Sequence, residues 1–258
     1  MDFQVSNRLF VVTGATSGFG AAIATTLLEE GASVIINARK PEGLDDMQKK
    51  YGNRVEVLQG DITTDAVIAD LFRLIGSRLL DGMVVNAGGP PAKSFAETQM
   101  ADWDAAYASI LRWKVKITHE LLDKMIPQGY GRIIYIESAA VKQPIENLVL
   151  SNAMRLAVVG FVKTLSQEIA QHGITANVLA PGYHATPAME RLVTNKSMLL
   201  GISPEEARKL FEKENLTGKL GNPADLASLA LWLLSPHAAL ITGQTISVDG
   251  GLIKGTMG

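Results

Sequence analysis

The chain contains no cysteine among its 258 residues. Disulfides, thiolate catalysis and cysteine-based metal sites are therefore excluded, and the usage fits an intracellular protein. An excess of charge of one sign is also lacking, with 24 Lys and Arg against 26 Asp and Glu and a formal net charge of -2. Without a basic field to attract phosphates, neither nucleic acid nor an anionic membrane is an expected partner, and a small molecule is the expected ligand. Residues 1–8 lack the basic start and apolar run of a signal peptide. The apolar late stretch at 226–234 is interrupted by Ser228 and ended by Ser235-Pro236, well short of the roughly 20 residues that span a bilayer. It reads as a buried helix, and the protein is expected to be cytoplasmic. No His/Asp/Glu cluster has metal-ligand spacing, so no catalytic metal is expected.

Hydrophobic residues make up 47% of the chain and charged residues 19%, a balance that describes a globular protein with a large core. Short apolar runs at 9–12, 33–37, 55–59, 82–86, 132–136, 176–179 and 244–248 alternate with longer amphipathic ones. Alternating β and α elements imply parallel strands joined by right-handed helical crossovers. The expected fold is α/β: a doubly wound parallel sheet of about seven strands in a single domain, residues 1–258. Two expected helices, at 100–125 and 150–171, are rich in apolar and small residues. From 188 to 215 the chain turns charged and helical, beginning again at Ser203-Pro204, a good N-cap followed by proline at the first helical position.

Thr13-Gly14-Ala15-Thr16-Ser17-Gly18-Phe19-Gly20 follows the first strand and opens the first helix. Glycines in that context allow a tight turn and close backbone approach to a pyrophosphate at the positive end of the helix; the plainer alternative is a structural turn. At the end of the second strand, Ile36-Asn37-Ala38-Arg39 offers no carboxylate for the ribose hydroxyls of NAD. An arginine there accommodates the 2′-phosphate of NADP, so Arg39 favours NADP(H) over NAD(H), unless it is simply a solvated charge beside Lys40.

These segments, in this order, resemble the short-chain dehydrogenase/reductase family over residues 9–251, which implies a Rossmann-type fold. The resemblance implies that Asp61 and Ile62 contact the adenine, although Asp61 could equally cap a helix. It further implies that Asn86, Ala87 and Gly88 line the cofactor, and that Pro181, Gly182 and Thr186 of Pro181-Gly182-Tyr183-His184-Ala185-Thr186 hold the carboxamide end of the nicotinamide. By the same resemblance the two long helices form the interface of a homotetramer or homodimer, and residues 188–216 cover the substrate.

The catalytic positions depart from the family pattern. Ser138 stands at the oxyanion-orienting place, with Glu137 before it where a Ser is more usual. Thirteen residues after Ser138 comes Ser151, and four later Arg155, so Ser151-Asn152-Ala153-Met154-Arg155 replaces Tyr-x-x-x-Lys. Seven residues after Trp103, where the family has an Asn, stands Ile110, with Ser109 beside it. A serine hydroxyl is a far poorer acid than a phenol, and a permanently charged arginine cannot bring it into range. Ser151 can donate a hydrogen bond, and Arg155 can still hold the nicotinamide ribose through its several donors. Tyr183, His184 and Lys142 are candidate replacement acids, and each can equally be a solvated loop residue. Two functions follow: an atypical NADP(H)-dependent oxidoreductase acting on a carbonyl or secondary alcohol, of 3-oxoacyl or sugar/polyol type by family analogy, or a non-catalytic NADP(H)-binding sensor or assembly protein.

Overall fold

A computed structural model describes residues 1–256. Among these residues the strands are β1 Leu9–Thr13, β2 Ser33–Ala38, β3 Val55–Gln59, β4 Gly82–Val85, β5 Gly131–Ile136, β6 Ile174–Pro181 and β7 Thr245–Val248. The helices are α1 Gly18–Glu29, α2 Glu42–Tyr51, α3 Asp65–Ile75, α4 Met100–Ala106, α5 Trp113–Gln128, α6 Val149–Ile169, α7 Pro187–Leu200, α8 Pro204–Glu214 and α9 Pro223–Leu234. The strands form one sheet in the order β3-β2-β1-β4-β5-β6-β7, and every neighbouring pair is parallel. The expected single-domain, doubly wound sheet is what the chain builds. Strand order reverses between β1 and β4, and the loops that leave their carboxyl ends part there to open a crevice.

Side chains alternate across each strand, so the sheet has a core on each face. Phe10, Val12, Val34 and Ile36 pack with Ile23 and Leu27 of α1 and with Leu226 and Leu231 of α9. The expected apolar helix at 226–234 is thus buried. Val11, Ile35, Met83, Val85 and Tyr135 point to the opposite layer, where they meet Ile68, Leu71, Trp113, Ile117, Val158 and Val162. β1, β5 and β6 are buried along their whole length, as strands covered on both faces should be.

Several boundaries differ from the sequence expectation, each for a local reason. The helix expected at 100–125 runs on to Gln128 and is interrupted by a π-helical segment, Tyr107–Arg112, between α4 and α5. α3 stops at Ile75 because Gly76 adopts a positive φ of 61°, a conformation glycine takes without a Cβ penalty. The charged stretch 188–215 is two helices, divided by the left-handed Gly201 and restarted by Ser203, whose side chain forms a reciprocal capping box with Glu206. By length and composition alone, the 24 residues Val149–His172 could cross a membrane, with a mean hydropathy of 1.2. In the fold, one side of this stretch packs Val158, Val162 and Ile169 into the core.

The last strand is docked by a buried amide. Asn177 on β6 donates from Nδ2 to the Ile241 carbonyl at 2.7 Å, and its Oδ1 accepts from the Gln244 N–H at 3.0 Å. Asn177→Ala is expected to leave both backbone groups without their partner and to cost about 2–4 kcal/mol, seen as a melting temperature lower by at least about 4 °C in calorimetry.

Candidate active site

The crevice between β1 and β4 is shaped by backbone. Gly14 and Gly18 hold φ values of 60° and 53°. A Cβ on Gly20 would lie 2.1 Å from the Gly14 carbonyl oxygen, and one on Gly14 would lie 2.8 Å from Asn86 Nδ2. Only glycine allows this turn to close. Ser17 precedes α1 in extended conformation and makes no capping hydrogen bond, and the first turn carries no acidic side chain. The opening N–H groups of α1 are therefore left for an anion, which the helix dipole favours. Thr16 leans on α2, where a Cβ on Gly43 would come within 2.8 Å of its Cβ.

Thr13 and Asn86 tie the two walls of the crevice together. The Thr13 hydroxyl donates to the Asn86 carbonyl at 2.7 Å and accepts from the Asn86 N–H at 2.8 Å, while Asn86 Nδ2 donates to the Thr13 carbonyl at 3.2 Å. Ala87 is half-buried and Gly88 exposed, with open space where a Cβ would stand. Across the crevice, Pro181 ends β6 and Gly182 donates its N–H to the Val248 carbonyl at 3.0 Å. Thr186 caps α7 by accepting from the Met189 N–H, and its methyl would touch a Cβ on Gly18 at 3.3 Å. Phe19 meets the edge of the buried His184 ring at 5.0 Å. The loop Pro181 to Thr186 thus folds over the glycine turn.

The ends of β2 and β3 complete this half. Arg39 is exposed directly after β2. Asn37 anchors the corner through Nδ2 to the carbonyls of Leu58 and Gly60 at 3.0 and 3.1 Å. Asp61 accepts from the Thr63 N–H and hydroxyl at 3.0 and 2.8 Å, a turn that leads into Thr64, the N-cap of α3. Its carboxylate therefore has a local structural task, and Ile62 beside it is buried.

The opposite half of the crevice is built on charge. Ser138 leaves β5 and its Oγ accepts from the Ala140 N–H at 3.2 Å. Ser151, in the first turn of α6, is buried, and its Oγ accepts from Arg155 Nε at 3.0 Å one turn later. Neither hydroxyl donates to another described residue. Arg155 Nη1 donates to Glu137 Oε2 at 2.9 Å, and Glu137 Oε1 accepts from Lys114 Nζ. The side-chain exposures are 0% for Glu137, 3% for Lys114 and 11% for Arg155. Burial pushes the Lys114 ammonium below its usual value, and Glu137 opposes that shift. Removing one member of such a buried group strands the others and costs about 3–5 kcal/mol. Arg155 Nη2 faces the strand β4 side of the site, 3.0 Å from where a Cβ on Gly89 would sit.

Lys114 and Glu137 were missed as site residues, though both left a signal. Lys114 falls on the apolar stripe formed by Trp113, Ile117 and Leu121, where a surface lysine has no place, and Glu137 directly follows the wholly buried β5. The candidate acids fare differently. Tyr183 packs edge-on to Phe211 at 4.9 Å, and burial together with Glu214 raises its phenol, making it a weaker acid. His184 is buried, with Nδ1 3.1 Å from the Gly182 carbonyl oxygen and its ring against Gly221. Lys142 is half-buried after the short helical turn Ala139–Val141. At the expected Asn position Ile110 is buried within the π-helical segment, and the Ser109 hydroxyl donates to the Ala105 carbonyl at 2.7 Å. No group of three or more His, Asp or Glu side chains among the described residues could hold a metal ion.

Residues 14–253 match the family model described as "Enoyl-(Acyl carrier protein) reductase". D-beta-hydroxybutyrate dehydrogenase of Rhizobium meliloti (strain 1021) is 32% identical, covering 93% of this chain and 96% of that protein. The structure of YwfH, an NADPH-dependent reductase involved in bacilysin biosynthesis, is 30% identical with a TM-score of 0.91, covering 97% of this chain and 100% of the other. L-sorbose reductase from Gluconobacter frateurii, solved with NADPH and L-sorbose, is 26% identical with a TM-score of 0.91 over 99% and 100% of the two chains. The crevice at the strand-order reversal, the glycine turn that opens α1 and these matches along nearly the whole chain agree: the protein belongs to the short-chain dehydrogenase/reductase family of oxidoreductases.

Proposed function

We propose that the protein is an NADP(H)-dependent reductase that interconverts a carbonyl and a secondary alcohol, using serine hydroxyls and a fixed guanidinium where the family uses a phenol. NADPH-dependent relatives and NADPH-bound neighbours support the cofactor choice. So does Arg39, exposed at the end of β2 with no carboxylate beside it. The cradle at Gly14, Gly18 and Gly20 and the uncapped start of α1 suit a pyrophosphate. The Asn86-Ala87-Gly88 segment and the loop Pro181 to Thr186 would line the rest of the dinucleotide.

When bound, the cofactor supplies or takes up the hydride. The chain's own task is to hold the substrate oxygen as it gathers negative charge. The observation that carries this reading is Arg155, with Nε on Ser151, Nη1 on Glu137 and Nη2 toward Gly89. With its acceptor side occupied, the Ser151 hydroxyl donates to the substrate oxygen together with that of Ser138, and the guanidinium charge favours the developing oxyanion. Serine does not ionise near neutral pH, so the proton reaches that oxygen from water. Residues 188–216, which include α7 and α8, would cover the substrate; Arg208 and Glu190 pair across these two helices at 2.5 Å. The substrate class, 3-oxoacyl or sugar-like, rests on relatives that act on both kinds of carbonyl. The rival reading, a sensor or assembly protein that binds NADP(H) without turnover, is favoured by the same lack of a usable phenol. The exposed faces of α6, at Ala153, Leu156, Ala157 and Gly160, and of the preceding long helix at Met100 and Tyr107 suit the homodimer or homotetramer of the family.

Fluorescence titration is expected to give tighter binding of NADPH than of NADH, with Arg39→Asp weakening NADPH roughly 10–100-fold; tighter NADH binding by the wild type overturns the assignment. NADPH oxidation over a panel of 3-oxoacyl and sugar carbonyls is expected to exceed background, and an inert panel, together with an inert alcohol panel in reverse, would leave the sensor reading. Ser138→Ala and Ser151→Ala are each expected to lower kcat roughly 10²–10³-fold, the cost of losing one oxyanion donor. A variant as active as wild type removes that serine from the mechanism. Analytical ultracentrifugation is expected to show a dimer or tetramer, and a monomer overturns the assembly.

A further inference from the structure

Lys114 and Glu137 belong to no cofactor or relay motif of the chain, yet Arg155 is held through them. An arginine on the first turns of a helix tends to extend toward water along its flexible stem. Arg155 is instead fastened at two nitrogens to two different elements, by Ser151 on its own helix and by Glu137 at the end of β5. Because the guanidinium is planar, fixing Nε and Nη1 also fixes the direction of Nη2. A lysine, with its single nitrogen on a flexible stem, cannot impose that geometry. Arg at 155, Ser at 151 and Glu at 137 are thus one linked set: the guanidinium needs an acceptor one turn earlier and a carboxylate across the gap.

Lys114 completes the set from the first turn of α5. Glu137, whose side chain has no exposed surface, divides its oxygens between Lys114 and Arg155. Two cations and one anion leave the cluster with an excess of one positive charge beside the two serine hydroxyls.

Resting on the reading of this site as an NADP(H)-dependent reductase, we infer that Glu137 and Lys114 are positioning residues. Lys114 holds Oε1 of Glu137, and Glu137 clamps Arg155 through Oε2 so that Nε turns the Ser151 proton outward and Nη2 faces the Gly89 edge of the cofactor cleft. Neither residue touches substrate or cofactor, and both act through Arg155.

The decisive variant is Lys114→Met/Glu137→Met, in which neither side chain can accept from Arg155. It removes one cation and one anion together, so the net charge of the cluster is unchanged and only the clamp is lost. Wild type and variant are compared by thermal melting, by NADPH titration and by steady-state kinetics on a carbonyl that the wild type reduces. The variant is expected to melt cooperatively, to bind NADPH about tenfold more weakly, as for one lost hydrogen bond, and to lose about 10²-fold in kcat through misplacement of the donors. KM for the carbonyl is expected to stay within about threefold, because uniform ground-state binding is not what the clamp supplies. A folded variant that keeps both its NADPH affinity and its kcat overturns the positioning role and leaves the triad purely structural. If that variant does not fold, Glu137→Asp takes its place, since it keeps the charge but withdraws the carboxylate by one methylene, about 1.5 Å. The same losses are expected, and unchanged affinity and kcat overturn the inference in the same way. Wild-type protein that binds NADPH without turnover sinks the reductase reading alone, and the clamp is then judged on NADPH affinity. Wild-type protein that binds neither dinucleotide sinks both.

Discussion

Glu137 carries a carboxylate at the end of β5 with no exposed surface, and an isolated charge in that position would be forced to neutralise or to unfold its surroundings. Compensation comes from two directions, Lys114 on α5 and Arg155 on α6. The layer that packs α5 and α6 against β4, β5 and β6 is therefore joined at its functional end by charge as well as by apolar contact. Trp113, Ile117, Val158 and Val162 bury the helices; the carboxylate decides how their first turns face one another. Such a pair is poor evidence for stability, since well-packed apolar residues would serve as well or better. What it does in this fold is hold the guanidinium of Arg155 at Nη1, while Ser151 holds it at Nε.

The other wall of the crevice is made without charge. The exchange of hydrogen bonds between Thr13 and Asn86 draws the ends of β1 and β4 together, and the glycines of the β1–α1 turn let the backbone pass where any Cβ would collide. The two halves thus differ in kind. One is backbone with unclaimed N–H groups at a helix start, suited to a dinucleotide whose shape is constant across a family. The other is a side-chain constellation, which can be rebuilt by a few substitutions while the sheet beneath it stays the same.

Much of this was legible from residue order. The alternation of short apolar runs with amphipathic ones gives the parallel sheet, and the glycine turn is recognisable because it follows a strand and opens a helix. Ser203 with Pro204 and Glu206 marks a helix start from local chemistry alone, and α8 begins there. Less legible was the interruption of the long helix at Tyr107–Arg112, since a π-helical segment changes the hydrogen-bond ladder without a glycine or proline to announce it. His184 and Tyr183 looked like loop residues with titratable groups to offer. In the fold His184 fills the space between Phe19 and Gly221, and Tyr183 packs into the small core of α7 and α8.

By itself the sequence determined the class of fold, the glycine turn between β1 and α1 and the presence of Ser151 and Arg155 four residues apart, because each depends on local order: the period of apolar residues, the spacing of glycines, the identity of one residue at a given position. The partners of Arg155 were decided only by tertiary structure. Lys114, Glu137 and Arg155 lie on three elements that meet because β5 sits inside the sheet, between β4 and β6, with α5 and α6 laid over one face. No local pattern joins them, and an ion pair depends on distance in space, which only the packed sheet and helices supply.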